Sequence, residues 1–102
     1  MIIQVEMLAF MGEDIFRPVE IEQADIDALA NRDYLLELVF RNGQNDFKPS
    51  LDHYSVSAGD VIFLDGKKIL IKGTGFKELS EEEYKNYRAM PMRDRSFAAT
   101  LM

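Results

Sequence analysis

The stretch that decides the fold runs from Ser55 to Phe76, SVSAGDVIFLDGKKILIKGTGF. Two apolar runs, Val61-Ile62-Phe63-Leu64 and Ile69-Leu70-Ile71, stand on either side of Asp65-Gly66 and the lysines that follow it. An Asp-Gly pair between β-rich runs supplies the two positive φ values of a type I′ turn. The sequence therefore predicts a tight hairpin, strands 60–65 and 67–73, with Leu64 opposite Lys67 and Ile62 opposite Ile69. Both faces of this hairpin are largely apolar, which puts it inside a sheet. Gly73-Thr74-Gly75 is expected to end the second strand in a bulge or turn.

Working toward the N-terminus, Ile3-Gln4-Val5-Glu6-Met7 alternates apolar and polar residues, and Ala9 continues the apolar set. That period of two predicts a strand over 2–10. After the turn residues Met11-Gly12-Glu13-Asp14, a second strand is expected over 15–22, forming a hairpin with the first. Pro18 has no N–H to donate, so this strand belongs at a sheet edge or carries a bulge. Ala24 to Asn42 reads as helical, with Asn31-Arg32-Asp33 dividing a short helix at 25–30 from a firmer one at 33–42. In the latter, Leu35, Leu36, Leu38, Val39 and Phe40 form so wide an apolar arc that a central, mostly buried helix is expected. Gly43 stands where a left-handed residue would end it.

Beyond the hairpin, Leu79-Ser80-Glu81-Glu82-Glu83-Tyr84 predicts a helix start. Ser80 and Glu83 suit a capping box, and three glutamates face the positive end of the helix dipole. This helix should run from 81 to about 89, ending before Pro91. The tail 91–102 shows no clear period and is expected to pack on the domain or on a neighbour, its apolar end suiting a homodimer. Together these elements predict one α+β domain over 1–102. Its small, mostly antiparallel sheet contains two hairpins and carries a central buried helix and a C-terminal helix.

Composition narrows the function classes. With 47% hydrophobic and 29% charged residues the chain lies in the range of ordinary globular proteins. It has no cysteine, hence no disulfide framework and no thiolate zinc site, which suits a reducing, cytoplasmic compartment. No apolar run is long enough for a membrane span. The net charge of −6 comes from the first half: residues 1–52 hold 11 acids against 4 bases, and residues 53–102 hold 7 against 8. Such acidity repels phosphate backbones, so a nucleic-acid partner is not expected; a solvated acidic face that keeps the chain soluble accounts for the charge, and a basic partner, or mimicry of nucleic acid toward a basic cleft, is the alternative.

No stretch carries a catalytic, cofactor-binding or metal-binding signature. His53 is the only histidine, Ser55 and Ser57 sit in no nucleophile elbow, and Gly73-Thr74-Gly75 lacks the spacing of a phosphate-binding loop. The most distinctive polar cluster is Gly43-Gln44-Asn45-Asp46-Phe47, at the head of a long irregular segment reaching Gly59. Gln44, Asn45 and Asp46, with His53, Ser55 and Ser57, are the candidate interaction surface. The same residues also suit side-chain-to-backbone turns, with Phe47 plugging the core beneath them.

The order VFRNGQNDF, polar loop, then SVSAGDVIFLDGKKILIKGTGFKEL resembles the YodL-like domain and related small proteins of bacteriophages, plasmids and conjugative elements. In that pattern a Ser-x-Ser-x-(Ser/Gly)-Asp-Val strand leads through a short turn to a strand closing on Gly-Phe-Lys. Ser55, Ser57, Asp60, Val61, Gly75, Phe76 and Lys77 carry the likeness, with Gly59 where Ser is more frequent. The resemblance covers Phe40 to Leu79 and implies a cytoplasmic accessory protein of a mobile element, acting on a host or element protein without catalysis. In structural terms Asp60 is expected to bind backbone N–H groups at the strand entry, and Phe76 to pack inward. Two other functions are open: an acidic nucleic-acid mimic that inhibits a host defence enzyme, and a small enzyme using the 44–60 loop with His53 and Asp60.

Overall fold

The computed structural model of the chain describes residues 1–22, 32–46, 48–50 and 52–101. Its centre is the Asp65-Gly66 hairpin, in which β3 (Val61–Leu64) and β4 (Lys67–Lys72) pair with Ile62 opposite Ile69 and Leu64 opposite Lys67. Asp65 and Gly66 have φ of 52° and 76°, the left-handed pair that a type I′ turn requires. β1 (Ile2–Glu6) lies antiparallel on the other side of β3, and β2 (Phe16–Glu20) pairs with β1 at the sheet edge. Pro18 therefore sits on an edge strand, as its missing donor demands.

Gly73-Thr74 does not end the sheet. The two residues form a tight turn into β5 (Gly75–Leu79), which pairs with β4 from Lys72 opposite Gly75 to Lys68 opposite Leu79. Gly75 supplies the positive φ of 136° that this reversal needs. The result is a five-stranded antiparallel sheet in the order β2-β1-β3-β4-β5. The first strand stops at Glu6 rather than running to residue 10. Beyond it the Met7 carbonyl accepts from the N–H groups of Met11 and Gly12, turning the chain while Met7, Leu8 and Ala9 stay buried.

Alternation assigns the two faces. Ile3, Val5, Val19, Ile62, Leu64, Ile69 and Ile71 point to one face, where α1 (Arg32–Asn42) covers them with Leu36, Leu38 and Val39. α1 is less buried than its apolar arc predicts: Leu36, Leu38 and Val39 are buried, but Leu35 is only half-buried and Phe40 is 36% exposed. Gly43 does not take the expected left-handed conformation. It is required by close approach, since a Cβ there would lie 2.9 Å from the Cβ of Val56. The short helix expected at 25–30 and the core role expected of Phe47 fall outside the described residues.

The opposite face carries Val61, Leu70 and Leu79 under Tyr84, Tyr87 and Ala99. Tyr84 and Tyr87 come from α2 (Glu81–Ala89), whose capping box is formed by Ser80 and Glu83 as its sequence predicts. The tail folds into α3 (Met92–Leu101) and packs on β4 through Ala99, whose carbonyl accepts from Gly73 N–H at 3.4 Å. Its lack of an apolar period has a physical reason: Arg95, only 2% exposed, shares the buried face with Ala99. The Arg95 guanidinium donates to Glu13 at 2.9 Å and to the Arg88 carbonyl at 3.1 Å, latching α3 onto the turn after β1.

Candidate functional site

The described residues between Gly43 and Ser57 are held by bonds between backbone and side chains as well as by local backbone bonds, and not by a strand ladder. Arg17, on β2 and 4% exposed, is the bolt beneath them. One terminal nitrogen donates to Asn45 Oδ1 and to the Tyr54 carbonyl, both at 2.8 Å, and the other to the Lys48 carbonyl at 2.8 Å. A guanidinium offers its donors in a fixed fork, so three acceptors from three points of the loop are held in one plane. Burial lowers the pKa of Arg17 from its ordinary value, but that value is so high that the group stays charged at neutral pH.

Asn45 is the second organiser. Its Oδ1 also accepts from Ser50 N–H at 3.1 Å, its Nδ2 donates to the His53 carbonyl at 3.0 Å, and its own N–H donates to Ser55 Oγ at 2.8 Å. Gln44 donates to the carbonyls of Phe40 and Val56, at 2.9 and 2.7 Å, closing the end of α1 onto the returning chain. Ser57 Oγ donates to the Ser55 carbonyl at 3.2 Å. Four of the residues singled out in the sequence, Gln44, Asn45, Ser55 and Ser57, are thus engaged in fixing the loop. What the loop presents outward is Tyr54, 61% exposed, with Asp46 and Asp52.

His53 is half-buried in a depression beside Pro18, Glu20 and Lys48, with its Nδ1 3.2 Å from Ser50 Oγ. Asp60 has different surroundings. Its Oδ2 accepts from Ser57 N–H at 2.8 Å, a backbone amide at the strand entry as the sequence predicts, and its Oδ1 accepts from Ala9 N–H at 2.9 Å, which also joins the turn after β1 to the start of β3. Burial pushes its pKa up to about 6, against the pull of those two amides toward the ionised form. Among the described residues, no three side chains of metal-ligating type converge.

A second polar network lies between the sheet and α2. Glu6 is fully buried and accepts from Tyr84 Oη and from Asp14 N–H at 2.8 Å, with Arg88 Nε 3.4 Å away. Tyr87 Oη donates to the Gly59 carbonyl. Burial raises the pKa of both tyrosines, and for Tyr84 the neighbouring Glu6 adds to the effect. Sequence reading gave Arg17, Glu6 and Arg95 no role. A buried charge leaves no local pattern when its partners are backbone carbonyls and side chains tens of residues away.

The acids divide into two sets. Glu13, Asp14, Glu78, Glu81 and Glu83 lie in ion pairs with Arg95, Arg88, Arg32 and Lys67, Lys68, and Lys77 respectively. Among the described residues, Glu20, Glu22, Asp33, Glu37, Asp46, Asp52, Asp60, Asp65 and Glu82 make no such pair; six of these nine lie on α1, the end of β2 and the loop, and Asp65 and Glu82 lie at the hairpin turn and on α2. No helix of the described residues is long and apolar enough to cross a membrane. No family model, no curated protein and no solved structure matches this chain.

Proposed function

We propose that the protein is a non-catalytic accessory protein of a mobile genetic element, working in the bacterial cytoplasm by binding a host or element protein through the 44–57 loop. The observation that carries this reading is the Arg17 bolt. A loop whose acceptors are fixed from beneath loses little freedom on binding, and it presents an exposed aromatic, Tyr54, along with the exposed carboxylates of Asp46 and Asp52. Exposed tyrosines on ordered loops are frequent anchors of protein interfaces. The uncompensated acids favour a partner with a basic surface. The YodL-like resemblance supplies the mobile-element setting.

Catalysis by His53 and Asp60 has less support, because both oxygens of Asp60 are occupied by backbone amides and His53 bonds elsewhere. A homodimer through the tail would have to use the outward face of α3, where Phe97 is 65% exposed, since Ala99 and Arg95 are buried within the chain. The test is affinity capture from a bacterial lysate with the full chain and with the Tyr54→Ala and Asp46→Lys/Asp52→Lys variants. The expected result is a stoichiometric partner bound by the parent chain and lost by both variants. Equal capture by all three would remove the loop from the reading.

A further inference from the structure

Among the described residues no strand pairs with the outer edge of β5, and its register says which groups are available. On β4, the Ile71 N–H donates to the Asp60 carbonyl at 2.9 Å and the Ile71 carbonyl accepts from Gly59 N–H at 2.8 Å, so Ile71 turns its backbone toward β3. In an antiparallel ladder such groups alternate sides. Lys68, Leu70 and Lys72 therefore bond to β5, and the residues opposite Ile69 and Ile71, which are Glu78 and Phe76, direct their N–H and C=O groups away from the sheet. Among the described residues no backbone or side chain takes them up.

Beside this edge runs a groove between α1 and the far end of the β4–β5 hairpin, lined by Phe40, Ile71 and Phe76 with Glu37 and Lys72 at its rim. The side chain of a strand residue placed opposite Phe76 would emerge on the α1 face, at the mouth of this groove. The charged side chains of β5 each have an ion-pair partner within the chain, Lys77 with Glu83 at 3.1 Å and Glu78 with Arg32 at 3.1 Å, in half-exposed pairs that still leave like charges repelling one another. The edge thus calls for main-chain partners and an apolar anchor, not for a charged ligand.

A second copy of the chain fits poorly. Two-fold pairing of β5 with itself would set Lys77 against Lys77 or Glu78 against Glu78. Centred on Phe76, it would leave only a few residues overlapping before the Gly73-Thr74 turn intervenes. We propose that β5 takes up an extended segment of low charge from a partner protein as a sixth strand, with one apolar side chain of that segment seated between Phe40 and Phe76. This mode of recognition obtains affinity from the ladder and selectivity from the side-chain pocket. It goes beyond the loop reading, because it uses the other side of the molecule.

The test pans a displayed library of random peptides of about nine residues, the length of an ordinary to long strand, against the full-length chain. An enriched peptide is then synthesised and titrated. N-methylation of the alternate residues that face β5 is expected to weaken binding by about tenfold or more, and N-methylation of the intervening residues by less than about twofold. Phe40→Asp should weaken binding by a similar factor without unfolding the chain, because Phe40 is partly exposed. Tyr54→Ala should leave it unchanged, so this inference and the loop reading fail separately. No enriched peptide, binding indifferent to Phe40→Asp or to the N-methyl pattern, or loss on Tyr54→Ala would overturn the proposal.

Discussion

At β2 the outward positions of the sheet edge are Phe16, Pro18 and Glu20; at β5 they are Phe76 and Glu78. The β2 set follows from the Ile21 N–H to Met1 carbonyl bond and the Met7 N–H to Ile15 carbonyl bond, both 2.8 Å, which fix the odd-numbered residues toward β1. Pro18 has no N–H to offer, and the Glu20 carbonyl already accepts from Asn42 Nδ2 at 3.0 Å. Arg17 next to it ties the strand to the 44–57 loop. One edge is therefore blunted by a proline, a side-chain amide and a bolted loop, with the Phe16 groups and the Glu20 N–H still facing out, and the other keeps all its outward donors and acceptors unpaired among the described residues. Open edges invite strand addition, so blunting one of two directs association to the other.

The largest expected effect lies on the blunted side. Arg17→Met should cost about 3 kcal/mol in urea unfolding, because it strands the part-buried carbonyls of Lys48 and Tyr54 together with Asn45 and removes a buried side chain. Amide exchange at Ser50 and Asn45 should accelerate while β5 is unaffected; unchanged stability would mean that the bolt carries no load. Asp60, on the segment entering β3 between the two edges, provides a control that affects both alike. Its pKa is about 6 when folded and near 3.8 when unfolded, so between these values the folded chain holds a proton that the unfolded chain has released. Stability should therefore fall as pH rises from about 4 to about 6, by roughly 2 to 3 kcal/mol from this group, and level off above. The Asp60 carboxyl resonance in an NMR titration gives the midpoint directly.

Smaller effects sharpen the comparison. Asn42→Ala uncovers the Glu20 carbonyl and should cost about 1 kcal/mol, felt at the β1–β2 hairpin and not at β5. Pro18→Thr should change stability by less than about 1 kcal/mol, since the new N–H points to water. It should also introduce concentration-dependent association, visible by light scattering, because the blunted edge gains a donor. A large stabilisation instead would place that N–H toward β1 and contradict the register.

The hairpin, its register and the edge position of Pro18 were legible because each rests on a local chemical requirement: an Asp-Gly turn, a period of two, a missing donor. The α2 start was legible for the same reason, Ser80 and Glu83 being three residues apart. β5 was not, because Phe76-Lys77-Glu78-Leu79 buries only Leu79 and shows no clean alternation of apolar and polar residues. α3 was hidden because a buried arginine stands where an apolar residue would mark the period. In the candidate site, Asn45 and Asp60 stood out by type and position, and Asp60 took the amide-binding role expected of it. Arg17 did not stand out, since no local pattern announces that a loop will fold over a guanidinium. The outward set of β5 was illegible for a related reason: it depends on the Ile71–Asp60 bond two strands away.

Amide hydrogen exchange at Phe76 and Glu78, followed by NMR in the free chain and at saturation with an enriched peptide, tests the open edge most directly. The expected result is fast exchange at both positions in the free chain, while Lys77 and Leu79 are protected, and slowing by about tenfold or more with peptide bound, with Glu20 unchanged. Unaltered exchange at Phe76 and Glu78 under saturation, or new protection at Glu20, would contradict it.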